Sequence, residues 1–347
     1  MTQANAPRSE QPTIKLRTPY LLFVGDAPTE PHAKTAFGIR DWAPETCLGQ
    51  MRLPESKVDL GLPEMTPESA AKAGAGSIVI GVAPVGGRIP DAWAPILKRA
   101  LEAGLDVVSG MHTPLAEVPG LAEAARKSGA ALVDIRIPKR RFDVGTGRKR
   151  TGKRVLTVGT DCALGKKYTA LALTKAMRQK GISASFRATG QTGVMIAGAG
   201  VAIDAVVADF IAGAAEALSP DAAADHWDLI EGQGSLFHPA YAAVTLGLLH
   251  GSQPDALVLC HDPTRKHIGA YPDFPLPDLR TAADRYIEAG RLTNPKVRLA
   301  AVSLNTSALS PAERERVIAE TAKSMGVPCF DPLKSPLDEA VASVLKS

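Results

Sequence analysis

Residues 159–166 read Gly-Thr-Asp-Cys-Ala-Leu-Gly-Lys, between an apolar strand-like run, Val155–Val158, and a helical run carrying Ala170, Leu171, Leu173, Thr174 and Met177. A strand, a glycine-bounded loop, a lysine and a helix together form a site for phosphate. Loop and helix N-terminal N–H groups converge on anionic oxygens, and the Lys166 ammonium adds a full charge. A side chain at Gly165 would push the backbone away from the ligand. The residues expected to touch the anion are Gly159, Thr160, Asp161, Cys162, Ala163, Leu164, Gly165, Lys166, Lys167 and Tyr168.

The spacing departs from G-x-x-x-x-G-K-[ST] at two places. Thr160 fills the first glycine slot, and Lys167 stands where a hydroxyl would bind Mg²⁺. Thr169, two residues further on, could not replace that hydroxyl without a local shift. Phosphate binding is therefore expected, and Mg-dependent hydrolysis is not. The segment Ile230-Glu-Gly-Gln-Gly-Ser-Leu236 places an acidic residue at a strand end, before Gly-x-Gly. Glu231, His238, His261 and Asp262 are the groups able to take a proton, and histidine suits neutral pH. Arg187, Gln191 and Thr192 follow one strand, and Arg265, Lys266 and His267 follow another. Both sets could hold a carboxylate or phosphate, or be ordinary loop residues. Open α/β sheets collect such groups at strand C-termini.

The elements around these residues alternate strand and helix, as parallel sheets with right-handed crossovers require. Strands are expected at 19–26, 77–84, 105–110 and 131–138, with helices at 93–104 and 121–129. After the Gly- and Arg-rich stretch 142–152 come strands at 153–159, 183–189, 227–231, 255–261, 297–304 and 327–330. Helices are expected at 166–180, 205–218, 241–250, 279–289 and 312–325. The fold class is α/β: an N-terminal Rossmann-like parallel-sheet domain, then a P-loop NTPase-like parallel-sheet domain. The boundaries are a tail over 1–18, a domain over 19–145 and a second over 153–347. The basic runs Lys139–Arg141 and Arg148–Arg154 read as a solvated linker, or as a rim attracting a polyanion.

Composition narrows the classes further. A net charge of +4 over 347 residues excludes the concentrated basic surface of a nucleic-acid binder. Four scattered cysteines give no zinc or disulfide spacing, so no metal is expected. No apolar run spans a bilayer and the N-terminus lacks a signal-peptide block, so a cytoplasmic protein without a membrane partner is expected. A homo-oligomer is the default expectation for its assembly.

The loop GTDCALGK resembles the GTD-x-x-x-GK loop of the dethiobiotin synthetase and cobyrinate amidase branch, and Glu231 matches that branch's strand-end acid. The whole chain resembles a two-domain P-loop family long catalogued as a domain of unknown function. That resemblance rests on Ala33–Ala36 with Gly38, GTDCALGKKYT at 159–169, ATGQTG at 188–193, Asp204-Ala205 and Asp209-Phe210. It rests also on IEGQGSL at 230–236, His238-Pro239 and LCHDPTRKHIGAYP at 259–272. The family includes bacterial D-glutamate (D-amino acid) N-acetyltransferases that work beside an enolase-type epimerase. The resemblance implies acetyl transfer from acetyl-CoA to a D-amino acid, most directly D-glutamate. Catalysis would fall to Glu231, His238 and Asp262, and small-molecule binding to Arg187, Gln191, Thr192, Arg265, Lys266 and His267. The competing expectations are an ATP/Mg-dependent ligase or kinase of dethiobiotin synthetase type, and a nucleotide sensor without turnover.

Overall fold

The computed structural model describes residues 14–82, 88–137 and 142–346. Outside them lie most of the expected tail, the last residues of the expected strands 77–84 and 131–138, and the basic run 139–141. The described chain forms two compact units. One comprises the stretch up to 137 together with 191–205, the other 142–190 and 206–346.

In the first unit the elements are β1 (Ile14–Lys15), β2 (Tyr20–Gly25), α1 (Lys34–Trp42), β3 (Cys47–Arg52), α2 (Pro67–Lys72), β4 (Ser77–Ile80), α3 (Ala94–Glu102), β5 (Asp106–Ser109), α4 (Leu121–Ser128) and β6 (Leu132–Asp134). Five strands form a parallel sheet in the order β3-β2-β4-β5-β6. Its central strands are buried throughout, which is why their sequences, YLLFVG and SIVI, are continuously apolar. β3 is an edge strand reading CLGQMR, without that apolar signature.

The second unit opens with β7 (Lys153–Gly159), α5 (Lys166–Gln179) and β8 (Ala184–Arg187). The chain then makes an excursion, α6 (Gln191–Ala197) and β9 (Ala199–Gly200), which belongs to the first unit; there β9 pairs antiparallel with β1. It continues as α7 (Ile211–Leu218), β10 (Trp227–Ile230), α8 (Ala242–Ser252), β11 (Ala256–His261), β12 (His267–Ile268), β13 (Tyr271–Pro275), α9 (Leu279–Arg291), β14 (Arg298–Leu304), α10 (Pro311–Met325), β15 (Cys329–Phe330) and α11 (Asp338–Leu345). The six-stranded parallel sheet has the order β15-β14-β11-β7-β10-β8. β7 is thus central, and its C-terminal end is flanked by the ends of β11 and β10. Val155, Leu173, Met177, Leu229, Val258, Ala301 and Val341 are among the side chains of the core beneath it.

The basic stretch 148–154 is more than a solvated linker: Arg150 and Arg154 are buried, while Arg148 and Lys149 are exposed but ion-paired. Arg148 pairs with Asp221, and Lys149 with Asp255. The Arg150 guanidinium is buried and caps two helix ends at once. It donates to the carbonyls of Glu216 (2.9 Å) and Ser219 (2.8 Å) at the end of α7, and of Gly251 (2.5 Å) and Ser252 (3.1 Å) at the end of α8. A cation there meets the negative ends of two helix dipoles. Burial lowers its pKa to about 10, leaving it charged at neutral pH. Arg150→Ala strands several buried carbonyls, each costing about 1–3 kcal/mol. A loss of about 3–5 kcal/mol is expected, read as a shift of the denaturant midpoint at constant slope.

Candidate functional site

The turn after β7 curls through two left-handed residues, Ala163 (φ +55°) and Gly165 (φ +100°), before α5 begins. A Cβ at Gly165 would meet nothing within 4 Å. The glycine is required by its backbone conformation before any question of ligand clearance arises. Gly159 is constrained by space instead: a Cβ there would lie 3.2 Å from Lys166 Nζ and 3.1 Å from the Asp161 carbonyl. Thr160, in the usual glycine slot, is buried, with Oγ1 2.9 Å from His261 Nδ1, while its N–H donates to the Cys260 carbonyl. The first N–H groups of α5 have no carbonyl four residues earlier within the helix and face the loop, the arrangement that accepts an anion.

Lys166 is buried, and its ammonium donates to the Asp161 carbonyl at 2.7 Å. Burial pushes its pKa down. Lys167 lies with Nζ 4.6 Å from the Tyr168 ring centroid. The Thr169 hydroxyl is turned into the sheet, bonded to the Gly165 carbonyl (3.1 Å) and to Ser303 Oγ (2.8 Å). It does not stand in for a metal-binding hydroxyl.

Side chains from three elements brace the loop. The Gly159 carbonyl accepts from Ser235 Oγ and from the Tyr286 hydroxyl on α9, both at 2.8 Å. Burial pushes the Tyr286 phenol up to about 12, so it stays a donor. Asp161 is fully enclosed. One carboxylate oxygen accepts from Arg265 (2.6 Å) and from the Gly269 N–H (2.8 Å), and the other from the Cys162 N–H (2.6 Å). Burial alone would raise its pKa, but these donors outweigh it and hold it below the usual carboxylate value.

On the β10 side stands Glu231. It is 4 % exposed, and one carboxylate oxygen accepts the N–H groups of Thr189 and Gly190, each at 3.0 Å. Burial raises its pKa against the pull of those two N–H groups, Lys167 and Lys166. The glycines around it are forced by contact. A Cβ at Gly232 would fall 1.7 Å from the Thr157 carbonyl, and one at Gly190 2.5 Å from Gln233 Nε2.

The other expected residues have partners within the protein. Asp262, expected as a base, closes a turn: its Oδ1 accepts from the Thr264 N–H (2.9 Å) and hydroxyl (2.7 Å). His238, also expected as a base, is buried at 3 % exposure, and its Nδ1 accepts the Ala240 N–H at 3.1 Å. In the neutral ring the proton then sits on Nε2, and no lone pair remains for a substrate proton. Arg265, expected to hold a substrate carboxylate, braces Asp161 and donates to the Cys162 carbonyl at 2.9 Å. Lys266 and His267 are exposed on the β12–β13 hairpin. Arg187 Nε is held by the buried Asp228 at 2.7 Å, itself tied to Ser219 and His226. Gln191 and Thr192 are helical, not part of a turn: Gln191 Oε1 accepts from Arg136, and the Thr192 hydroxyl meets that of Thr35.

Asp161, Cys162 and His238 bring one potential ligand atom each to within 4.8 Å of one another. This donor set does not fit a cation. The Asp161 oxygens already serve three donors including a guanidinium, and His238 has its Nδ1 lone pair committed. Sequence reading missed Ser235, Tyr286, Thr189, Gly190 and Gln233. Ser235 sits in a conspicuous glycine-rich string, whereas nothing marks Tyr286 out from a core residue of a helix.

Two family models match the chain: a Rossmann-like domain of unknown function (DUF1611_N) over residues 52–138, and a P-loop domain of unknown function (DUF1611_C) over 143–341. A protein of Tritonibacter scottomollicae named D-glutamate N-acetyltransferase is 48% identical over 332 residues, covering 95% of this chain and 100% of its own. A protein of a Pseudoalteromonas species with the same name is 47% identical over 331 residues, with the same coverage. The crystal structure of a DUF1611 family protein from Anabaena variabilis is 34% identical, with a TM-score of 0.82 over 95% of this chain and 100% of that one. The parallel-sheet units and the matched models agree in class, and the chain belongs to the DUF1611 family.

Proposed function

We propose that this protein transfers the acetyl group of acetyl-CoA to the amino group of D-glutamate. The observation that carries the reading is the name shared by two relatives that match 95% of the chain at close to half identity. The loop geometry supports it from the chemical side. Backbone amides, a left-handed glycine and one lysine suit the phosphates of a coenzyme, and nothing at Lys167 or Thr169 favours Mg-ATP chemistry.

In this reading the phosphate groups lie in the loop and the reacting end lies toward β10. Glu231 accepts the ammonium proton of the amino acid, the freed lone pair forms the N–C bond as the C–S bond breaks, and the departing thiolate takes the second nitrogen proton to leave as free thiol. A carboxylate whose pKa burial raises is suited to take a proton near neutral pH. Lys266 and His267, exposed beyond β11, remain candidates for the substrate carboxylates.

The test incubates the protein with acetyl-CoA and D-glutamate, L-glutamate and a panel of D-amino acids, following free thiol and the N-acetylated product by mass. Thiol release with D-glutamate that persists in a chelator is expected. No thiol release with any amine, together with Mg-dependent ATP hydrolysis, would overturn the reading.

A further inference from the structure

Most buried histidines leave their tautomer open, but the local geometry of His238 closes the question. Nδ1 is the ring nitrogen nearest the backbone, and it takes the N–H of the residue two positions on, Ala240, at 3.1 Å. That bond needs the Nδ1 lone pair. A proton on Nδ1 would set two N–H groups against each other, so the geometry places the ring proton on Nε2. Tyr241 and Tyr271 fix the plane, with ring centroids 4.5 and 5.1 Å away. One ring nitrogen lies within 4.8 Å of both the Cys162 sulfur and an Asp161 carboxylate oxygen, so the ring stands at the phosphate loop.

We propose that His238 is a fixed neutral hydrogen-bond donor for the phosphate end of the bound coenzyme. It binds through Nε2–H and exchanges no proton in the reaction. The assignment rests on the reading that this loop holds a coenzyme's phosphates. It explains why a histidine is buried beside a cation-rich loop: it adds a donor without another charge next to Lys166 and Arg265. It also separates two tasks along β10 and its extension, with Glu231 at the strand end serving the amine and His238 serving the anion.

The first measurement is a long-range ¹⁵N–¹H correlation spectrum of the full-length protein labelled at histidine, with His238 assigned by its loss in His238→Gln. A neutral ring protonated at Nε2 is expected, and a ring protonated at Nδ1 or at both nitrogens would overturn the proposal. The second is calorimetric titration with coenzyme A, alongside steady-state kinetics. His238→Leu should weaken coenzyme A about tenfold. His238→Gln, which keeps an N–H at the outer end of the side chain, should recover most of that loss, and both should act on KM rather than kcat. A collapse of kcat in both variants with unchanged coenzyme A affinity would make His238 a proton acceptor and sink the idea. Wild-type protein that binds coenzyme A but transfers no acetyl group would sink the acetyl-transfer reading alone. Protein that binds neither coenzyme A nor ADP would sink both.

Discussion

Lys166→Met will bind coenzyme A about tenfold to a hundredfold more weakly, while the free protein melts no lower than wild type. A charge-assisted hydrogen bond to an anion is worth about 1.5–3 kcal/mol, which sets that range. The second half of the expectation comes from burial. The ammonium is enclosed, donates to one loop carbonyl and has its pKa pushed down by desolvation. Without ligand it is a buried cation held for a later purpose, and such groups lower stability. Methionine fills similar volume without the charge. Saturating coenzyme A at a hundred times its Kd stabilises the wild type by about 2.7 kcal/mol, and that thermal shift should shrink in the variant. An unchanged calorimetric affinity would count directly against the loop as the phosphate site.

Glu231→Gln should lower kcat about a hundredfold to ten-thousandfold with KM for acetyl-CoA largely retained, the signature of a lost proton acceptor. Glutamine is isosteric and can still accept from Thr189 and Gly190, so the fold is spared. The pH profile supplies a second readout, with the sign set by burial. Because the Glu231 pKa is raised, the base form is lost as pH falls through a value above the ordinary carboxylate range of about 4.3. The acid limb of kcat/KM should therefore lie above that range in the wild type and disappear in the residual activity of the variant. An unaltered limb would assign the proton to another group.

The loop and its two flanking elements were legible because strand, glycine turn, lysine and helix have independent sequence signals that agree. The parallel sheets were legible for the same reason, through buried strands that read as unbroken apolar runs. What escaped was mostly convergence in space. Asp262, Arg265, Lys266 and His267 are close in sequence, yet Asp262 closes a turn, Arg265 reaches the loop, and the next two lie exposed on a hairpin. The glycines of 188–193 suggested a loop. Gly193 is instead a buried position in α6, and the segment 191–205 joins the first unit, a long-range choice that local propensity does not encode. The arginines at 150 and 154 looked solvated because acceptors for both lie tens of residues later in the chain: helix-end carbonyls for Arg150 and the Ser219 hydroxyl for Arg154. Tyr286 shows the opposite limit. In sequence it is a core aromatic on a helix, and only its hydroxyl contact with Gly159 reveals that it supports the site.

That contact has a kinetic consequence. Ser235 and Tyr286 pull on the same Gly159 carbonyl from different elements, and Asp161 is locked by three donors, so the mouth of the loop is shaped before any ligand arrives. Docking of the anion then requires no reorganisation of its receptor, and the entropy of ordering is spent during folding. In a rapid-mixing experiment the observed rate should climb in proportion to coenzyme concentration without levelling off, as for a single bimolecular encounter. Tyr286→Phe, by freeing one anchor, should introduce a plateau.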